Sequence, residues 1–432
     1  MSEELGRADY SYFFVMRYFV PLLESLGTVV PLQALLPEAD RCFDEITSNG
    51  GQALLLLFMP PHKIPEGLRC PWVPVFAWEY DRIPNENWGS DTRHNWPTVL
   101  AKSRGAITHS RFALGATLRE MGPEFFCMSL PAPVWDRCQY AQQASPAAFK
   151  QAWSLSLEGV VLDSKSLDLS PGVSMHAALL ESKPAQLALS GVIYTSVFCP
   201  IDGRKNWHDI LSAFVYAFRD QADATLLMKL VHHDKKEASA LVLQEMQKLY
   251  PFRCRLVSVC GYLDDANYAQ LVNGSSFTVN SSHGEGQCLP MMEFMSAGKP
   301  AIAPDHTAMA EYVRPDNSFV VKSSQEWTHW PHDPRSLLRC HRYRIDWESL
   351  RDAYLASWQV AQVDATRYTA MSANAVVALQ TYCSTQTVTA GMRLFLQAIG
   401  IRLTPQPIYA RLWQKIRQRL RKFWGQAATP AP

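Results

Sequence analysis

Residues 277–300 read FTVNSSHGEGQCLPMMEFMSAGKP. The apolar run from Phe277 to Asn280 predicts a strand. A polar, glycine-bearing loop follows, and a helix is predicted over Leu289–Ala297, with Pro290 in the first turn where proline is tolerated. A second strand is predicted at Pro300–Ala303. Backbone N–H groups at such a helix start suit an anion or a sugar oxygen, and Gly284 and Gly286 let a ligand approach the backbone closely. Glu285 lies in the loop and Glu293 about one turn into the helix. A strand, a glycine loop, a helix and a second strand make one unit of an α/β sheet with parallel strands.

The same rhythm extends towards the N-terminus as far as Gly191. Strands are predicted at Val192–Phe198, Ala224–Val231 and Arg255–Cys260, with helices at Trp207–Phe218, Lys236–Leu249 and Asp264–Leu271. Residues 138–190 interrupt it with Gln, Ser, Ala and Pro clusters and one strand-like piece, Gly159–Leu162. Before them the rhythm recurs. A helix spans 10–26 and Thr28–Val30 reads as a strand. Ala53–Phe58 is a continuous apolar run suited to a strand buried on both faces. Trp72–Trp78 reads as a strand, 96–104 as a helix and Gly105–Thr108 as a strand, and Ser110 caps a helix ending near Met121. The expected fold class is α/β, with two Rossmann-like, doubly wound domains facing a central cleft and a C-terminal helical tail. The expected segments are 1–137, a linker or insertion at 138–190, 191–345, helices at 346–400 and a tail at 401–432. In open α/β sheets, ligands sit outside the carboxyl ends of the strands, where both candidate motifs fall. The second motif is Asp202-Gly203-Arg204-Lys205-Asn206-Trp207, a basic turn after the strand at 192–198.

The bulk composition narrows the function classes. Among 432 residues, 41 Lys and Arg nearly balance 40 Asp and Glu, for a net charge of +1. That argues against a globally basic nucleic-acid binder, and no nucleic-acid partner is expected. The ten cysteines form no Cys-x-x-Cys pair and no zinc or disulfide spacing, so free thiols in a reducing compartment are expected. The polar start, MSEELGRADY, does not read as a signal peptide, and no apolar run approaches the roughly 20 residues of a membrane helix. A cytoplasmic location is expected.

The stretch EGQCLPMMEFMSAGKPAI, beginning at Glu285, resembles the donor site of glycosyltransferase family 4 (glycosyl transferases group 1), with its Glu-x7-Glu motif. The resemblance is specific over about 190–320 and only general over 10–135. It implies the GT-B fold and a retaining, metal-independent transfer of a sugar from a nucleotide-diphosphate sugar, with the 191–345 domain binding donor and the 1–137 domain binding acceptor. Glu285 would contact the donor sugar and Glu293 the ribose hydroxyls, with the backbone at Gly286, Gln287, Cys288 and Leu289 near the sugar and diphosphate. Lys205 would bind the diphosphate. The family's usual arginine is absent from Phe198-Cys199-Pro200, so Arg204 or Lys229 supplies the second charge. Glu311 falls where the family often has a glutamate, without the family's glycines. On the acceptor side the candidates are Glu79, His94 and His109, with Asp91, Arg93 and Trp96 nearby. The resemblance implies no cofactor beyond the nucleotide sugar as co-substrate, and no metal.

The implied acceptor is a glycan or a lipid-linked molecule, with cell-surface polysaccharide or lipopolysaccharide biosynthesis as the setting. In the tail, Ile408, Leu412, Trp413, Ile416, Leu420, Phe423 and Trp424 fall near one helical face among six basic residues. That pattern suits an anionic membrane surface bound through 408–424, at the inner face. A helix docked back on the protein is the alternative for the tail. For the whole chain the alternatives are a catalytically degenerate GT-B scaffold and a nucleotide-sugar 2-epimerase.

Overall fold

A computed structural model describes residues 8–403 apart from 33, 90, 139–150 and 171–176. The basic stretch 408–424, read as a membrane-facing helix, lies outside the described residues.

Helices α1 (Ala8–Leu26) and α2 (Leu35–Ser48) lead into β1 (Leu55–Phe58), β2 (Trp72–Phe76), α3 (Trp96–Leu100), β3 (Ala106–Thr108), α4 (Arg111–Met121) and β4 (Cys127–Ser129). The four strands form a parallel sheet in sequence order. Ser110 caps α4 by accepting from Ala113 N at 3.1 Å. Thr28–Val30, expected as a strand, is unpaired, and the sheet ends at β1. Strand-forming side chains alone supply no ladder partner, and Pro31 beside them has no N–H to donate.

The second half begins with β5 (Trp153–Asp163) and β6 (Lys183–Leu189). There follow β7 (Val192–Phe198), α5 (Trp207–Phe218), β8 (Ala224–Leu230), α6 (Lys235–Leu249), β9 (Arg255–Tyr262), α7 (Asp265–Gly274), β10 (Phe277–Val279), α8 (Leu289–Ser296), β11 (Ala301–Ala303) and β12 (Ser318–Val320). Its eight-stranded sheet runs β12-β11-β10-β7-β8-β9-β5-β6, parallel from β12 to β9. The described part of the segment expected as a linker is therefore a hairpin that extends this sheet, antiparallel to β9. Its signal is alternation: Leu155 and Leu157 are buried while Ser154, Ser156 and Glu158 are exposed.

A hairpin, β13 (Ser323–His329) and β14 (Arg339–Ile345), precedes α9 (Trp347–Val363), α10 (Ala365–Cys383) and α11 (Thr385–Ala398). It ties the halves together. Trp330 at its turn is buried with Phe76, Trp78, Tyr80 and Trp96 of the first half. His341 Nδ1 meets Asp81 at 2.9 Å. A second cluster runs through both halves, joining Val15, Phe19 and Leu22 of α1 with Met291, Met292 and Met295 of α8 and Phe395 of α11. Among the described residues no helix is long and apolar enough to cross a membrane.

Candidate active site

The strand order of the second sheet reverses between β7 and β10, its two central parallel strands. The loops leaving their carboxyl ends meet there, at the position where doubly wound sheets bind ligands. The β7 loop carries Asp202–Asn206 and the β10 loop carries Ser281–Cys288. The two loops are bonded to each other: Ser281 Oγ donates to Asn206 O at 2.9 Å and His283 N to Arg204 O at 2.8 Å. Asp202 shapes the first loop by accepting from Arg204 N at 3.1 Å, and Asn206 takes a left-handed φ of 48° to start α5.

The two loops converge on Glu285. Lys205 Nζ lies 2.7 Å from its Oε1 and Arg204 Nη1 3.1 Å from its Oε2. Ser282 Oγ donates to Oε1 at 2.6 Å and Asn280 Nδ2 at 3.2 Å. Thr307 Oγ1 accepts from Glu285 N at 3.0 Å and fixes the loop from the other side. Burial pushes this carboxyl up, but Lys205 and Arg204 outweigh it and hold it well below the usual carboxylate range. The resemblance left Arg204 and Lys229 open as the second cation. Arg204 stands at Glu285, whereas Lys229, buried in β8, donates to Leu230 O at 2.8 Å.

Arg204 also reaches the first half. Its Nε lies 3.2 Å from Glu79 Oε1 and its Nη2 2.9 Å from Asp202 Oδ2. Burial works against its charge, but Glu79, Asp202 and Glu285 hold its pKa far above the ordinary value. Burial raises the Glu79 carboxyl. The two glycines of the loop serve this same approach of the halves. A Cβ on Gly284 would stand 2.9 Å from Glu79 O, and one on Gly286 2.8 Å from Ala77 Cβ and 3.1 Å from Trp78 N. Glycine is needed here for contact between protein backbones.

Glu293 in α8 is half-buried, and both its oxygens are engaged. Tyr18 O–H, from α1 of the first half, donates to Oε1 at 2.5 Å, and Tyr268 O–H, from α7, donates to Oε2. Burial raises its pKa, against the two phenols. Cys288 caps α8 in a left-handed conformation with φ 64°, and burial pushes its thiol up to about 12. Leu289 is the first residue of α8. Gln287 is buried, and both its side-chain oxygen and nitrogen lack a hydrogen-bond partner. A buried amide is costly when unpaired, which sets Gln287 apart from the other side chains of this loop. His306 Nε2, close enough to Glu285 to feel its charge, is likewise unpartnered.

The remaining acceptor-side candidates do not join Glu79. His94 stacks on Trp88 at 4.1 Å and its Nδ1 meets Trp88 O at 3.0 Å. His109 is buried with Nδ1 on Leu130 O at 3.0 Å, and burial pushes its pKa down to about 4. Asp91 is paired with Arg93 at 2.7 Å. Trp96 is packed in the aromatic cluster around Trp330. Glu311 accepts from Arg111 N at 2.7 Å, at the start of α4 in the other half. Sequence reasoning missed Ser282, Asn280, Thr307, Tyr18 and Tyr268. The polar run Asn280-Ser281-Ser282 at a strand's carboxyl end was a usable signal for the first two. Nothing local marks Tyr18, because its partner is 275 residues away.

Comparison with known proteins bears on the second half first. Residues 192–329 match the model of the family described as glycosyl transferases group 1. No curated protein sequence matches the chain. Among solved structures, a glycosyltransferase from Rickettsia africae ESF-5 aligns over 87% of this chain and 85% of its own, at 11% identity and a TM-score of 0.51. The pneumococcal O-GlcNAc transferase GtfA in complex with UDP and GlcNAc aligns over 84% of this chain at 12% identity and a TM-score of 0.48. TarM aligns over 76% at 10% identity and a TM-score of 0.45. This chain spans 60% of that GtfA chain and 50% of that TarM chain. The fold is the two-domain GT-B arrangement expected from the sequence.

Proposed function

We propose that the chain is a retaining glycosyltransferase that moves a sugar from a nucleotide-diphosphate donor to a glycan or lipid-linked acceptor. The observation that carries this reading is the convergence of Lys205 and Arg204 on Glu285 at the strand-order reversal, beside the unpartnered amide of Gln287. The chemistry needs cations there, because negative charge builds on the nucleoside diphosphate as the glycosidic bond breaks. Fixed charges in a partly buried site stabilise that transition state without reorganising. In this reading Lys205 and Arg204 turn from Glu285 towards the diphosphate. Glu285, released, accepts from the donor sugar's hydroxyls, and Glu293 accepts from the ribose. Glu79 meets Arg204 from the first half, on the side where an acceptor hydroxyl would approach.

Cell-surface polysaccharide or lipopolysaccharide assembly on the cytoplasmic side is the proposed setting. The basic, tryptophan-bearing pattern of 408–424 supports contact with an anionic membrane face, which flotation of the full chain with anionic liposomes tests. Saturation-transfer NMR against UDP-, GDP-, ADP- and dTDP-sugars, with Glu293→Ala as control, tests the donor site. Selective binding of one nucleotide, lost in the variant, is expected. Absence of binding by the folded protein favours a second reading, a catalytically degenerate GT-B scaffold. The observation behind that second reading is that both oxygens of Glu293 and both cations at Glu285 are already satisfied within the protein.

A further inference from the structure

We propose that Tyr18, a residue of the first half, sets the donor affinity of the second half by holding Glu293 in the place of a ribose hydroxyl. The proposal rests on the donor-site reading above. A phenol O–H and a ribose O–H offer a carboxylate the same donor, and Tyr18 delivers its own to Oε1 at 2.5 Å. Tyr268 occupies Oε2 from α7, within the second half, and stays with Glu293 when the halves part. Oε1 is therefore the acceptor a nucleotide has to win.

Tyr18 is held there by its surroundings. Val15 and Leu22 lie one turn away on either side of it in α1, on the same helical face. Both are buried in the cluster that contains Met291, Met292 and Met295 of α8. The Arg137 guanidinium lies over its ring, 5.1 Å from the centroid. The packing of α1 on α8 therefore holds the phenol at Oε1. A second group of the first half, Glu79, engages Arg204 at 3.2 Å, and Arg204 in turn holds Glu285. The first half thus reaches Glu293 directly and Glu285 through its arginine, so donor binding and separation of the halves are one equilibrium. A ligand whose competent state must first be formed binds more weakly by the population of that state.

The test is isothermal titration of the full chain with UDP, GDP, ADP and dTDP. The proteins compared are the natural sequence, Tyr18→Phe, Glu293→Gln and the double variant. Tyr18→Phe keeps the ring under Arg137 and in the core but removes the competing hydroxyl. The nucleotide that binds is expected to bind at least about tenfold tighter to Tyr18→Phe, because tenfold corresponds to about 1.4 kcal/mol, just under the least that a hydrogen bond to a charged group contributes. That gain is expected to vanish in the Glu293→Gln background. Binding to Tyr18→Phe alone, with none to the natural chain, also supports the proposal. A dissociation constant unchanged or weakened by Tyr18→Phe overturns this proposal and leaves the donor site standing. A gain that persists without the Glu293 carboxylate overturns it as well. No nucleotide binding by any folded variant removes the donor-site reading, and this proposal with it.

Discussion

Replacing Lys205 by Met removes a cation from a carboxylate that has little access to water. The Lys205 and Glu285 side chains are 18% and 4% exposed and 2.7 Å apart. Breaking a buried pair by deleting one partner costs about 3–5 kcal/mol when the other charge is left alone. Glu285 is not left alone, because Arg204 at 3.1 Å, Ser282 at 2.6 Å and Asn280 at 3.2 Å remain. The expected loss is therefore about 2 kcal/mol at pH 7, below that range. Its pH dependence identifies its source. The Glu285 carboxyl is depressed in the folded protein, so its contribution is fully present above the ordinary glutamate value of 4.5 and is lost as pH falls through the folded value. Without Lys205, burial weighs more heavily and the depression shrinks. The difference between natural chain and variant is then constant while Glu285 stays ionised in both folded proteins, and it shrinks only as pH falls through the variant's folded value, below the ordinary 4.5. Urea unfolding followed by circular dichroism, from pH 7 down through the acid range to about pH 2, measures it. A difference that persists undiminished to about pH 2 would refute the ion pair as the source. A difference under about 0.5 kcal/mol at pH 7 would mean that the pair behaves as an exposed one.

Gly286→Ala forces a Cβ to within 2.8 Å of Ala77 Cβ and 3.1 Å of Trp78 N. It is expected to cost about 1–3 kcal/mol by overpacking, and unchanged melting would show that the halves do not touch here in solution. Trp330→Ala empties a buried site among Phe76, Trp78 and Trp96 and is expected to cost about 3–5 kcal/mol in chemical denaturation. Because the halves share a core, the natural chain should unfold in one transition and the Trp330 variant in a broader or split one. Burial pushes His62, His109 and His306 each down to about 4. Their neutral forms support the fold above the ordinary value of 6.5, and that support is lost as pH falls towards 4. The urea midpoint should drop between pH 7 and 5, and His109→Gln should make the drop shallower. An identical slope in that variant would exclude His109 from the effect.

Local patterns made much of this fold readable. The β7–β11 region announced itself because its strands are largely apolar runs and its helices begin beside Asn206, Asp234, Asp264 or Pro290, signals that span a few residues. Glu285, Arg204 and Lys205 were legible for the same reason: their loops must follow strands whose order a doubly wound sheet dictates. Strands β5 and β6 were legible in principle through alternation, but they lie among Ser, Ala and Pro clusters that read as a linker. What the sequence could not carry was pairing between distant segments. Val15, Phe19 and Leu22 mark α1 as amphipathic, yet nothing in them names Met291, Met292 and Met295 as the surface they meet. Gly284 and Gly286 read as openings for a ligand, and tertiary packing turned them towards Ala77–Glu79. Nothing in the sequence singled out the hairpin of β13 and β14, and only its reach to the first half explains the buried Trp330. Residue types and short spacings determined the parallel sheets and the glycine-bearing loop after β10, because they act over one turn or one strand. The closure of the halves, and with it Tyr18 on Glu293, depends on surfaces that exist only after both sheets have formed.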